Sequence, residues 1–187
     1  MALKATVYKA ELQVSDLDRH YYATHALTLA QHPSETDERL MVRLLAFALC
    51  ADERLEFGRG LSTDDEPDLW RKSLTGEIEQ WVDLGQPDES RIRKACGRAR
   101  AVLVIGYSGR GFALWWEKNA TALARCSNLT VLELPAGTAE SLAALLSRGM
   151  KLQCLIQDGD VQLMGDAGTV SAAPILRQAA GSSASRA

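Results

Sequence analysis

Ala101 to Tyr107 read AVLVIGY, an unbroken apolar run that closes on a glycine and a tyrosine. A strand covered on both faces has this composition, because neither of its alternating rows of side chains meets water. Before the run lies a helical stretch that restarts at Pro87-Asp88-Glu89-Ser90, and before that Ile78 to Leu84 alternates as a strand. In that strand Ile78, Gln80, Val82 and Leu84 take one face, and Glu77, Glu79, Trp81 and Asp83 take the other. A strand, helix and strand in succession predict two parallel neighbours joined by a right-handed crossover. The chain is thereby an α/β protein.

The other elements fit around this unit. Ala5 to Val14 and Tyr21 to Ala30 are strand-like, and Ser15-Asp16-Leu17-Asp18 between them has turn chemistry, so an opening β-hairpin is predicted. A long core helix follows, with Ser34 as its cap, acids in its first turn and Leu40, Val42, Leu44, Leu45, Ala48 and Leu49 on its apolar side. Arg54 to Phe57 is a short strand, Phe112 to Ala124 a helix, Thr130 to Leu134 a strand and Ala139 to Leu146 a helix. Lys151 to Gln157 and Val161 to Met164 form a closing hairpin around Asp158-Gly159. The predicted fold is α/β with a mixed sheet flanked by helices, as a single domain over residues 1–165. From Gly165 the composition turns small and polar, and residues 166–187 are expected to be a disordered tail.

Composition limits the function. The 187 residues are 47% hydrophobic, enough for a full core, and the net charge of −3 gives no broad attraction to nucleic acid or to an anionic membrane. Four cysteines, Cys50, Cys96, Cys126 and Cys154, lie scattered in apolar surroundings without CxxC spacing, which reads as buried free thiols in a reducing, cytoplasmic protein. Neither a leader pattern nor a run approaching 18 apolar residues is present, so neither secretion nor a membrane partner is expected. The glycines at Gly109 and Gly111 match neither GxGxxG nor GxxxxGK[ST], and no organic cofactor is predicted. His25 and its neighbours Tyr21 and Tyr22 read as ordinary strand residues.

Two carboxylates hold the functional interest. Asp68 stands in an acidic loop and Asp83 on the strand that follows it, and acids brought together at strand ends can hold a divalent cation such as magnesium. A carboxylate buried on a central strand needs a partner or an ion, which singles out Asp83. Glu35 and Glu38, three apart near the start of the long helix, are further candidate ligands or else simple complements to the helix dipole. Arg91, Arg93, Lys94, Arg98 and Arg100 form the chain's dense basic patch, readable as a phosphate-binding or a solvated face.

Over residues 1–165 the chain resembles the YaeQ family of bacterial proteins. The hairpin MALKATVYKAELQVSDLDRHYY, the helix HPSETDERLMVRLLAFAL, the stretch LSTDDEPDLWRKSLTGEIEQWVDLGQPDESRIRKACGRAR and the later KLQCLIQDGDVQL bear the similarity. The resemblance implies a variant of the PD-(D/E)XK nuclease-like fold, with a restriction-endonuclease-like core, in a family of undefined biochemical function. It maps the nuclease acids onto Pro67-Asp68, Asp83 and one of Glu38 or Glu35. Where such nucleases place a lysine that orients the attacking water, this chain has Gly85. Gln86, Lys94, Arg91 and Lys72 are the candidate replacements. Two functions are then in view. One is a magnesium-dependent phosphodiesterase in which Glu38 or Glu35, Asp68 and Asp83 hold the ion while Lys94 or Gln86 assists. The other is a catalytically inactive module that binds nucleic acid through Arg91, Arg93, Lys94 and Arg98, or binds a protein partner.

Overall fold

Alternation decides which way the first strands face. In β1 (Thr6–Asp16) Ala10, Leu12 and Val14 are buried while Lys9, Glu11 and Gln13 are exposed. The strand pairs antiparallel with β2 (Tyr21–Gln31) over its whole length, from Thr6 opposite Gln31 to Asp16 opposite Tyr21. The turn between them needs His20 at φ 54°, a conformation that histidine tolerates better than most residues. Tyr21 and His25, on one face of β2, hydrogen-bond at 2.8 Å, and the His25 ring packs edge-on to Phe47. His25 is thus a half-buried strand residue with its ring partnered.

This computed structural model describes residues 4–59 and 65–181. Where the sequence predicts one domain, the chain divides into two units, Met1–Ala51 with Gly137–Pro174, and Asp52–Ala136 with Ile175–Ala187. Where it predicts one mixed sheet, there are two, one in each unit.

The first unit holds β1, β2, helix α1 (Asp37–Leu49), helix α4 (Thr138–Ala143), β8 (Gly149–Gln157), β9 (Asp160–Gly165) and β10 (Gly168–Ala172). Its sheet runs β10-β9-β8-β1-β2, with β8 parallel to β1 and the remaining pairs antiparallel. Asp158 and Gly159, at φ 53° and 80°, form the tight β8–β9 turn as predicted. The cap of α1 corrects the expectation: it is Thr36, whose hydroxyl accepts from the Arg39 amide at 3.2 Å, and Ser34 instead bonds His32. Glu35 therefore lies outside the helix, where its side chain reaches Arg43 two turns along. Arg43 donates to both carboxylate oxygens at 2.9 Å, and Arg39 adds a third bond at 3.2 Å.

The second unit holds β3 (Leu55–Phe57), β4 (Leu69–Lys72), β5 (Ile78–Leu84), helix α2 (Glu89–Arg98), β6 (Ala99–Gly106), helix α3 (Arg110–Leu123), β7 (Leu129–Glu133) and β11 (Ile175–Gln178). Its sheet runs β11-β7-β6-β5-β4-β3. The predicted parallel crossover is present, since β5, β6 and β7 are mutually parallel. β3, β4 and β5 form an antiparallel meander, and β11 closes the far edge antiparallel to β7. Trp81, Ile92, Val102, Val104, Phe112 and Leu129 make its core.

β10 and β11 correct the expectation of a disordered tail over 166–187. Their segments are short and bury little, Ile175 and Leu176 staying exposed, so they are ordered by pairing with β9 and β7 rather than by burial. Arg177 adds an ion pair to the buried Glu133 at 2.6 Å. Residues 182–187 of that tail lie outside the described residues. Among the described residues no helix is long and apolar enough to cross a membrane.

The Glu35–Arg43 pair is nearly sealed from water, at 3% and 4% side-chain exposure. Glu35→Gln leaves the Arg43 guanidinium short of its counter-charge, and urea denaturation should register a loss of about 3–5 kcal/mol.

Candidate functional site

The acidic site is built at the join of β4 and β5. Leu69 pairs with Val82 and Trp70 with Trp81, so the register carried one residue further sets Asp68 opposite Asp83. The two acids singled out in the sequence are thereby neighbours across a strand pair. Gly58 secures this corner: its amide donates to the Asp68 carbonyl at 2.9 Å, and a Cβ there would stand 1.9 Å from the Pro67 oxygen. Only glycine lets the two strands approach so closely.

Each carboxylate has internal donors. Asp68 Oδ2 accepts from the Leu84 amide at 2.8 Å. Asp83, 2% exposed, is gripped as a fork: Arg91 Nε lies 2.9 Å from Oδ2 and Arg91 Nη2 3.0 Å from Oδ1. Trp81 Nε1 adds a second bond to Oδ2 at 2.9 Å. Arg91 Nη2 also donates to the Glu66 carbonyl at 2.8 Å, which ties α2 to the acidic loop. Asp64, in that same loop, lies outside the described residues.

The remaining acidic candidates belong to other elements. Glu35 and Glu38 belong to the other unit, Glu35 committed to Arg43 and Arg39, and Glu38 half-buried in the first turn of α1. Among the described residues no three Asp, Glu, His or Cys side chains stand together as a metal-holding set. The donors at Asp83 are cationic, and a guanidinium fork on a carboxylate competes directly with a divalent ion for the same lone pairs. These residues do not fit magnesium as placed.

The position of the missing lysine has a backbone reason. Gly85 sits at φ 86°, and its amide donates to the Ile105 carbonyl at 2.9 Å; a lysine there would be strained. Of the replacements, Gln86 donates to Ser108 Oγ at 2.7 Å, and Lys72 lies 3.5 Å above the Trp70 ring. Arg91 is the fork on Asp83. Lys94 is exposed on α2.

Beside the acids runs a groove of about 590 Å³ lined by Asp65, Trp81, Asp88, Arg91, Lys94 and Arg98. Arg91, Lys94 and Arg98 recur at helical spacing and so share one stripe of α2. Arg98 donates to the Asp65 carbonyl at 3.3 Å and stacks 5.2 Å from the centre of the Trp81 ring. Of the other basic residues, Arg93 pairs with Glu89 at 2.8 Å and Arg100 with Glu77. Among the described residues, Lys94 has no acidic partner.

Sequence reasoning missed Arg91 as the partner of Asp83 and Trp81 as a donor to it. A signal was there for the second: Trp81 and Asp83 are two apart on one strand face.

Comparison with known proteins covers both units. A family model described as YaeQ protein matches residues 1–174. The chain is similar to the crystal structure of YaeQ protein from Xanthomonas axonopodis pv. citri, with 63% identity and a TM-score of 0.92 over 94% of this chain and 99% of that one. It is also similar to the crystal structure of YaeQ protein from Pseudomonas syringae, with 36% identity and a TM-score of 0.89 over 94% and 97% of the two chains. Uncharacterized protein YaeQ of Escherichia coli strain K12 is 47% identical over 166 residues, 89% of this chain and 92% of that relative.

Removing one arm of the fork tests its weight. Arg91→Met strands the Asp83 carboxylate on a single indole N–H. Arg91 is 26% exposed, so the loss should fall somewhat below the roughly 3–5 kcal/mol of a sealed pair. Asp83→Asn together with Arg91→Met should cost less than the two single changes summed, as read by a double-mutant cycle in urea. Strict additivity would mean that the fork contributes nothing of its own.

Proposed function

The chain belongs to the YaeQ family, and on that premise we propose that it is a non-catalytic module, nuclease-like in fold, that holds a nucleic-acid phosphate in the groove along α2. The observation that carries this reading is the fork of Arg91 on Asp83. In a metal-dependent phosphodiesterase that carboxylate would face an ion. Here it fixes a guanidinium instead, with its third bond spent on the Glu66 carbonyl. The acid thus works as a positioning group for a cation, and the site keeps charge and rigidity without a nucleophile generator.

Charge accounting sets the size of the ligand. The groove lining carries Arg91, Lys94 and Arg98 against Asp65 and Asp88, an excess of one positive charge. The whole chain is at −3. A long charged track along duplex nucleic acid finds no counterpart in such a balance, whereas one or two phosphates at a strand end or in a single-stranded segment do. Lys94, exposed and without an acidic partner among the described residues, is the side chain best placed to meet them. Gly85 in place of the nuclease lysine supports the same reading, because no side chain at that position can orient an attacking water.

Fluorescence anisotropy with labelled single-stranded and duplex oligonucleotides, at stepped salt, tests the module. Binding should favour the single strand, with a log–log salt slope of about −0.7 to −1.4, corresponding to one or two phosphates. Lys94→Glu should weaken it and lower the slope by about one phosphate. Calorimetry with magnesium supplies the counter-test. Heat at millimolar ion that disappears in Asp83→Ala, with cleavage of either oligonucleotide, would replace the module by the metal-dependent phosphodiesterase.

A further inference from the structure

Away from the acids, the edges of the two sheets are unequal. Among the described residues the edge strands β10, β11 and β3 are five, four and three residues long, whereas β2 is eleven. Short length, charge and proline are the usual protection of an open edge. β11 follows Pro174 and carries Arg177, and β3 carries Glu56. The β2 sequence YYATHALTLAQ holds no proline, lysine, arginine, aspartate or glutamate. Register shows which of its backbone groups are turned out. The Lys9 amide donates to the Arg148 carbonyl at 2.9 Å, so the odd-numbered residues of β1 turn to β8 and the even-numbered ones to β2. Ala10 lies opposite Leu27, Leu12 opposite His25 and Val14 opposite Ala23, and these are therefore the hydrogen-bonded pairs. The residues between them, Tyr22, Thr24, Ala26, Thr28 and Ala30, point N–H and C=O away from β1. Ala30 agrees with this parity, since its carbonyl accepts from Arg43 Nη2 at 2.9 Å. On the same side no strand of the described residues pairs with Tyr22, Thr24, Ala26 or Thr28, and all four residues are exposed.

We propose that β2 is the interface of a homodimer, in which it pairs antiparallel with β2 of a second copy about a two-fold axis beside His25. The proposal does not depend on what the groove binds. This register sets Tyr22 opposite Thr28 and Thr24 opposite Ala26 of the second copy. Every outward residue short of Ala30 then has a partner, and Arg43 keeps the Ala30 carbonyl. On the inner face Ala23 meets Leu27 of the second copy, and His25 meets its own counterpart. A second copy is the occupant that the strand fits, because an isologous contact asks only that one surface complement itself. With no formal charge along β2, antiparallel self-pairing sets no acid against acid and no base against base. The nearest cation, Lys9, stands one strand in and donates to the Thr28 hydroxyl at 2.7 Å. Eleven residues a side fall short of the roughly 20–30 of a standard interface, so association should be reversible and concentration-dependent.

Sedimentation equilibrium of the full chain over a concentration series tests this. The mass should rise from 20.4 kDa toward twice that value. Thr24→Lys with Ala26→Lys sets lysine against lysine at both 24–26 contacts of the seam, and the dimer should be lost. Thr24→Lys with Ala26→Glu sets lysine against glutamate at the same contacts, and the dimer should return. Both pairs of changes lie on the exposed face, so circular dichroism and the urea midpoint should hold. Ala26→Pro removes an N–H that only the second copy uses and should also leave a monomer. A mass of 20.4 kDa at every concentration would overturn the proposal, and uptake of a foreign extended peptide by such a monomer would give the edge to another protein. A dimer indifferent to the two lysines, or one that the lysine–glutamate pair fails to restore, would overturn it as well.

Discussion

A carboxylate at 2% exposure inside a sheet is tolerable only with compensation, and around Asp83 the compensation shapes its half of the molecule. Arg91 has to arrive from α2 at the right height, so the loop after β5 must turn sharply, and Gly85 does so in the left-handed region. Trp81 has to aim its indole N–H along its own strand face, which turns a core aromatic into a polar partner. The Glu66 carbonyl has to lie within reach of the same guanidinium, and this holds the acidic loop against α2. One buried charge thus sets the position of a helix, a turn and a loop.

The first unit solves the same problem differently. Arg43 is buried on a helix whose other residues from Leu40 to Ala48 are also buried, and Glu35 reaches it from outside the helix. Because Thr36 rather than Ser34 caps α1, Glu35 stands just before the helix, from where its side chain reaches forward to Arg43. A two-residue shift in the cap separates a residue that neutralises a core cation from one that merely decorates a helix start.

Much of this was readable from local pattern. The alternation in β1 and β2, the Asp158-Gly159 turn and the continuous apolar run of β6 each report on their own few residues, and the β5-α2-β6 crossover follows from their order. What escaped depends on partners far along the chain. β11 is ordered by β7, more than forty residues earlier, and its own side chains give little sign of it. Asp83 stood out correctly as a buried acid, but spacing alone does not distinguish an ion from Arg91 as its partner. The sequence also brings Glu35 and Glu38 onto the list of ligands by type, while the fold commits Glu35 to Arg43.

The interleaving of the two units has a consequence for synthesis. The chain begins the first unit, leaves it at Ala51 to build most of the second, returns at Gly137, and reaches β11 only after Pro174. Neither sheet is complete when its first strands leave the ribosome. β1 waits for β8, and β7 keeps an open edge until Ile175–Gln178 is made. During that interval the unpaired edges of β1 and β7 are surfaces on which a second nascent chain could align. The native order of strands therefore opens two windows for chaperone shielding, a long early one that the β1-to-β8 separation sets and a shorter late one that the β7-to-β11 separation sets.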